Sequence, residues 1–192
     1  MGKKSLYLID AYALIFKYYY AFMGRPMRNR DGLNTSVVFG FTKFLRDILR
    51  REKPDLIGVA FDPAGGCFRR RLFPEYKANR PDYSGVPEEE TPFSQLPDIY
   101  AALDVLGICH RETENCEADD WLAGYALGYG KQLQIVIASQ DSDLFQLISD
   151  NVRILRYRGD STVIWDRQLL HEKLGIHPEQ YADHKAMTGD TA

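Results

Sequence analysis

No run in this chain approaches the roughly 20 consecutive apolar residues that a membrane-spanning helix needs. The start, Met1 to Ser5, passes directly into Leu6-Tyr7-Leu8-Ile9-Asp10. It has neither a long apolar segment nor a cleavage site, which argues against a secretory signal. Cysteine is scarce: Cys67, Cys109 and Cys116 are odd in number and lack metal-pair spacing, so reduced thiols are expected. His110, His171, His177 and His184 show no zinc-ligand spacing either, and solvated or core-edge imidazoles are the expectation. There is no excess of positive charge: 24 Lys and Arg stand against 27 Asp and Glu, which argues against a generic polyanion binder. Internal repeats and low-complexity segments are also missing. With 192 residues, 45% of them apolar, the chain suits a single globular domain large enough to bury a core.

What is present is a set of acids at the ends of predicted elements. Ser5–Ile9 reads as a buried strand ending in Asp10, and Leu56–Phe61 as a second one ending in Asp62. Gln134–Ser139 is a third, with Gln140-Asp141-Ser142-Asp143 at its end. Ahead of it, Cys116-Glu117-Ala118-Asp119-Asp120 opens a helix predicted over Ala118–Tyr129, apolar at Leu122, Ala126 and Tyr129. Other predicted helices cover 11–22, 35–53, 93–106, 167–174 and 178–187. In the second of these Val38, Phe41, Leu45, Ile48 and Leu49 share a face; in the third the stripe is Leu96, Ile99, Leu103 and Leu106. The aromatic run of 11–22 predicts packing more than base stacking. Short strands are predicted at 108–111, 152–157 and 162–165, the last two joined by a turn at 158–160, and a helix opened by Asp141 continues through Leu144–Ile148. Alternating strands and helices imply an α/β fold with a mainly parallel, twisted sheet flanked by helices. Such sheets bind ligands outside the carboxyl ends of their strands, where Asp10, Asp62 and Asp141 are expected.

The positive charge is clustered. Arg69, Arg70, Arg71, Lys77 and Arg80 lie within a stretch, 63–93, punctuated by Pro and Gly. A loop of that length is usually functional or disordered. A second basic loop, Arg25 to Gly32, carries Arg28. It reads equally as a phosphate contact and as a solvated loop.

Converging carboxylates repel one another and are costly to desolvate, so a fold that gathers them needs cations. Oxygen-only ligands select Mg²⁺ or Mn²⁺. Two such ions about 3.5–4 Å apart clamp the attacking and leaving oxygens of a phosphodiester, and a nearby Lys or Arg stabilises the developing charge. A single acid at a helix start is more often a cap or a dipole partner; recurrence at three strand ends gives the metal reading its weight.

Leu8-Ile9-Asp10, Gly40-Phe41, Phe61-Asp62 with Phe68-Arg69, Tyr76-Lys77 with Arg80-Pro81, Glu117-Ala118-Asp119-Asp120, Asp141-Ser142-Asp143 and Thr188-Gly189-Asp190 together carry a resemblance. The chain resembles, over essentially its whole length, the 5′-nuclease (5′-3′ exonuclease) domain of bacterial DNA polymerase I, related to flap endonucleases and phage 5′-exonucleases. The resemblance implies a PIN-like fold with a flexible helical arch at about 63–93. It implies cleavage near DNA 5′ ends and flaps with two Mg²⁺ ions, replaceable by Mn²⁺. By it, Asp10, Asp62, Glu117 and Asp119 hold the first ion with Asp120 close by, and Asp141, Asp143 and Asp190 serve the second, with Asp119 a candidate for sharing. Lys77 contacts the scissile phosphate and Arg69 assists. Tyr76 stacks on a base, and Arg80, Arg70 and Arg28 are further DNA contacts.

The implied partners are DNA with 5′ ends or flaps and RNA–DNA hybrids. The implied setting is a monomer in the bacterial cytoplasm near the nucleoid, with a polymerase domain possible in the same natural chain and no membrane. Family members continue into a helix–three-turn–helix element that grips duplex, whereas this sequence stops at Ala192. Its expected domain is therefore 1–192 without that grip. Competing readings are a PIN-type ribonuclease and a nucleic-acid binding fragment that does not cut.

Overall fold

The computed structural model describes residues 2–78, 81–158 and 161–189. Its sheet has six strands, β1 Ser5–Asp10, β2 Leu56–Phe61, β3 Cys109–Glu112, β4 Gln134–Ala138, β5 Val152–Arg158 and β6 Ser161–Trp165, in the order β3-β2-β1-β4-β5-β6. Helices are α1 Ala11–Phe22, α2 Ser36–Arg51, α3 Phe68–Leu72, α4 Leu96–Val105, α5 Ala118–Tyr129, α6 Arg167–Leu174 and α7 Tyr181–Thr188. No described helix is long and apolar enough to cross a membrane. The chain divides into two compact units, one of Met1–Asp10, Asp55–Gly58 and Asp119–Ala192, the other of Ala11–Pro54 and Val59–Ala118.

In the first unit β1, β4 and β5 run parallel, with Ser5 opposite Gln134 and Ile9 opposite Ala138, and β6 returns antiparallel along β5. Leu6–Ile9 and Ile135–Ala138 are buried without alternation, as strands covered on both faces must be. Leu122 and Ala126 of α5 are buried, but Tyr129, predicted on the same face, is 46% exposed. Its ring leans instead on Tyr125, with centroids 5.5 Å apart, and Tyr125 meets Trp121 at 4.4 Å. The helix predicted from Asp141 is a 3₁₀ segment, Ser142–Leu147, and that predicted from Pro178 is a 3₁₀ turn, Pro178–Gln180, leading into α7.

In the second unit α1 and α2 pack together, and Leu14, Ile15, Val37, Phe41, Phe44, Leu45 and Ile48 are buried. The buried face of α2 is turned from the predicted one: Val37 and Phe44 are inside, while Val38 and Leu49 are only half-buried. Gly40 accounts for the rotation, because a Cβ there would come within 2.2 Å of the Tyr18 ring. Two amides at the start of α2, those of Val37 and Val38, donate to Oε1 of buried Gln95 at 3.0 Å each. The hydrogen-bonding need of a helix start is thus met from a distant side chain. Leu106 lies past the end of α4 and is 48% exposed, because Gly107, at φ +65°, turns the chain away. Rings of α1 pack on one another and on Tyr83 and Phe93.

Gly40→Ala is expected to destabilise the fold on the order of 1–2 kcal/mol. Overpacking against Tyr18 exceeds the roughly 1 kcal/mol that alanine gains in a helix. The urea midpoint reads this directly; an unchanged or higher midpoint would contradict the close approach of α1 and α2.

Candidate metal centre and substrate contacts

In the first unit Asp10 closes β1 and is 8% exposed. Its carboxylate Oδ2 accepts the hydroxyl proton of Ser139, 2.7 Å away. The same Oγ accepts the backbone N–H of Asp141 at 3.1 Å, and Asp141 Oδ1 accepts the N–H of Asp143 at 2.8 Å. Asp141 is thereby the cap of the 3₁₀ segment, a local turn that aspartate makes readily. The loop is pinned further by Gln140, whose side chain donates to the Tyr157 carbonyl at 2.7 Å and whose carbonyl accepts from Arg156 at 2.8 Å. Asp143 is half-exposed and ion-paired with Lys185 of α7. Asp119 and Asp120 occupy the first turn of α5, where the helix dipole favours negative charge.

In the second unit Asp62 follows β2, and its Oδ1 accepts the backbone N–H of Ala118 at 2.7 Å. Glu117 is the most heavily engaged acid. Lys77 Nζ donates to Oε1 at 2.6 Å, Tyr76 Oη donates to Oε2 at 2.9 Å, and an Arg69 nitrogen lies 3.7 Å from Oε2. Burial works against its charge, but the bonds from Lys77 and Tyr76 and the charges of Lys77 and Arg69 outweigh it and hold the carboxyl below the usual range. The stabilisation this lowering brings is present above the ordinary glutamate pKa and lost as pH falls through the lowered one.

Lys77 sits at φ +57°, a left-handed conformation costly for a side chain other than glycine. These groups border a cleft of about 710 Å³ whose walls include Tyr12, Phe16, Asp62, Arg70, Tyr76, Lys77, Phe93 and Glu117. Burial, and then the neighbouring Tyr100, Asp62 and Glu112, push the Tyr12 hydroxyl up to about 12, so it stays neutral in the cleft wall.

The structure thus brings the sequence-predicted residues together in part. Asp10 and Asp141 share one serine, and Lys77, Tyr76 and Arg69 converge on Glu117. Arg70 is exposed at the cleft. Arg28 is held by Glu90 at 2.6 Å and by the Gly32 carbonyl at 2.9 Å. Arg80 and Asp190 lie outside the described residues. Among the described residues, no three His, Cys, Asp or Glu side chains are grouped closely enough to hold one ion. Asp10, Asp62, Glu117, Asp141 and Asp143 are engaged by protein donors instead. As chemistry the acids of each unit, Asp10, Asp119, Asp120, Asp141 and Asp143 in the first and Asp62 and Glu117 in the second, suit a hard divalent cation, being carboxylates throughout. The sequence reading missed Ser139, taken only as a strand end, and Lys185, which nothing in the spacing of the last helix distinguishes.

Residues 5–175 match the family model described as 5′-3′ exonuclease, N-terminal resolvase-like domain. DNA polymerase I of Mycobacterium tuberculosis is 35% identical over 192 residues, covering 98% of this chain and 21% of the polymerase. The 5′-3′ exonuclease of Aquifex aeolicus is 29% identical over 189 residues, 97% of this chain and 62% of that protein. The chain therefore spans about a fifth of the polymerase and under two thirds of the exonuclease. Among solved structures, the T5 5′-exonuclease with bound divalent zinc superposes with a TM-score of 0.73 at 19% identity, covering 97% of this chain and 67% of that one. The catalytic core of Rad2 in complex with DNA substrate gives 0.56 at 17% identity, over 98% and 56%. At these identities the two structures establish the fold, a mostly parallel sheet flanked by helices in the PIN-like 5′-nuclease manner. The family model, the polymerase relatives and this fold agree: the chain belongs to the 5′-3′ exonuclease, N-terminal resolvase-like domain family.

Proposed function

We propose that this chain is a 5′-nuclease domain that hydrolyses DNA phosphodiesters at 5′ ends and flaps, as primer or flap removal in replication and repair requires. Mg²⁺ is the proposed ion, with Mn²⁺ able to replace it. The observation that carries the reading is the hydrogen-bonded run Asp10–Ser139–Asp141–Asp143 at the carboxyl ends of parallel strands, in a chain of this family.

Asp10, Asp62, Glu117 and Asp119, with Asp120 nearby, would hold one ion; Asp141, Asp143 and Asp190 would hold the other. Bound divalent ions supply Lewis-acid polarisation of the phosphodiester and a nucleophile at neutral pH. The chain's own part is positioning and charge. Lys77 and Arg69 are a compact cationic pair beside Glu117, placed to stabilise negative charge on a phosphate. Tyr76 offers a ring for a base, and Arg70, Arg80 and Arg28 offer charge to the strand. The stretch 63–93 is the proposed arch of a single nuclease domain acting as a monomer. RNA–DNA hybrids are a further proposed substrate. A polymerase domain in the same natural chain accords with the length of the relatives.

The test is digestion of 5′-flap DNA and of single-stranded RNA side by side, with Mg²⁺ and with EDTA. Flap cleavage that needs the ion supports the proposal; preferential RNA cleavage would replace it with a ribonuclease. A finer expectation concerns Lys185, the counter-ion of Asp143. Removing a partly exposed competitor with Lys185→Ala should tighten Mn²⁺ binding roughly two- to fivefold, the worth of such a pair. Unchanged or weaker binding by electron-spin-resonance titration would take Asp143 out of the ion set.

A further inference from the structure

Ile9 and Ala138 are paired in the parallel register of β1 and β4, and the next residues are Asp10, the last of β1, and Ser139, the first past β4. Ser139 is 0% exposed, an unusual place for a hydroxyl unless its hydrogen-bonding capacity is used. It is used in both directions. The backbone N–H of Asp141 can only donate, so at 3.1 Å it takes a lone pair of the Ser139 Oγ. The one hydroxyl proton is then directed to Asp10 Oδ2 at 2.7 Å. Asp141 Oδ1 in turn accepts from the Asp143 amide. Three acids from two strand ends are thus joined in one directed chain of hydrogen bonds, with a buried serine as its only side-chain hydroxyl.

We infer that Ser139 is a positioning residue for the ion site: it fixes the Asp10 carboxylate and couples it to the Asp141–Asp143 turn. A proton donor fixed on Oδ2 sets the rotation of the whole Asp10 carboxylate. Partners that orient a metal-binding carboxylate generally carry about 10–100-fold in metal affinity. The inference rests on the two-ion reading of these acids proposed above.

The test is Mn²⁺ binding to the full chain, followed by electron spin resonance, for wild type, Ser139→Ala, Ser139→Thr and Asp10→Asn. Ser139→Ala is expected to bind Mn²⁺ about 10–100-fold more weakly. The Mn²⁺ concentration for half-maximal flap cleavage should rise by the same factor, while the rate at saturating Mn²⁺ is largely recovered. Ser139→Thr, which keeps the hydroxyl, should restore most of the affinity. A general loss of structure would lower the saturated rate instead and would not be rescued by Thr.

If Ser139→Ala does not unfold cooperatively, Ser139→Cys, with a weak donor in nearly the same space, carries the same expectation. Wild-type Mn²⁺ affinity in the Ala variant, with binding lost in Asp10→Asn, overturns the positioning role and leaves the two-ion reading intact. Wild-type affinity in Asp10→Asn overturns the reading itself and the inference with it.

Discussion

Asp141→Asn is expected to slow cleavage of a 5′-flap duplex on the order of a thousandfold, the loss of several kcal/mol of charge stabilisation. The substitution is informative because of what it keeps. The side-chain oxygen of asparagine accepts the Asp143 amide as Asp141 Oδ1 does at 2.8 Å, and asparagine is as good a cap as aspartate. The bond from the Asp141 amide to Ser139 involves backbone and is untouched. Only one negative charge leaves. Single-turnover rates with Mg²⁺, alongside thermal unfolding, separate the two effects: a collapsed rate with an unmoved midpoint supports an electrostatic role for this carboxylate. An unimpaired rate would count heavily against metal-dependent chemistry at this strand end.

Lys77→Ala carries the second large expectation, a fall of about 10²–10³ in the cleavage rate, as when a preorganised donor is removed from a transition state. Substrate affinity should change far less, because a contact made to developing charge is lost from the rate and spared in binding. Two features complicate the alanine variant. Lys77 occupies left-handed backbone at φ +57°, and its ammonium is paired with Glu117 at 2.6 Å. Lys77→Gly removes the same charge and suits that backbone. Equal rate losses in the Ala and Gly variants point to the ammonium; a Gly variant near wild type would move the effect to backbone geometry. Glu117 keeps the Tyr76 hydroxyl at 2.9 Å and Arg69 at 3.7 Å in either variant, so its charge is still compensated.

The elements were legible where a short apolar run was bounded by a change of chemistry. β1, β2, α1 and α6 fall at or within a residue of the expected limits, because an acid or a glycine adjoins most of their ends: Asp10 between β1 and α1, Asp55 and Asp62 around β2, Asp166 and Gly175 around α6. Faces were harder. Periodicity placed Val38 and Leu49 inward, but the close approach of Tyr18 to Gly40 turns α2 toward Val37 and Phe44. That contact joins residues more than twenty positions apart and leaves no local trace. Tyr129 satisfies the apolar spacing of α5 and still sits outward on Tyr125, since an aromatic ladder along the helix competes with the core.

At the candidate site the acids were legible as types and positions, since strand ends gather ligands in this architecture. Their partners were not. Ser139 is 129 positions from Asp10 and Lys185 is 42 from Asp143, and neither pairing has a spacing rule. The Tyr76 hydroxyl donates to Glu117 and its ring lies under the Lys77 ammonium, 5.1 Å from the centroid, and no spacing rule assigns either contact. A part-buried carboxylate left unpaired is costly, so nearby cations are drawn to it, a consequence of folding that composition alone does not assign to particular residues.

Diffraction from crystals of this protein grown with Mn²⁺, recorded at the manganese absorption edge, is the most direct test of the account. It predicts two anomalous peaks about 3.5–4 Å apart, one against Asp10, Asp62, Glu117 and Asp119 and the other against Asp141 and Asp143, with Lys77 drawn off Glu117. A single surface peak remote from these carboxylates, or none, with Lys77 still on Glu117, would contradict it.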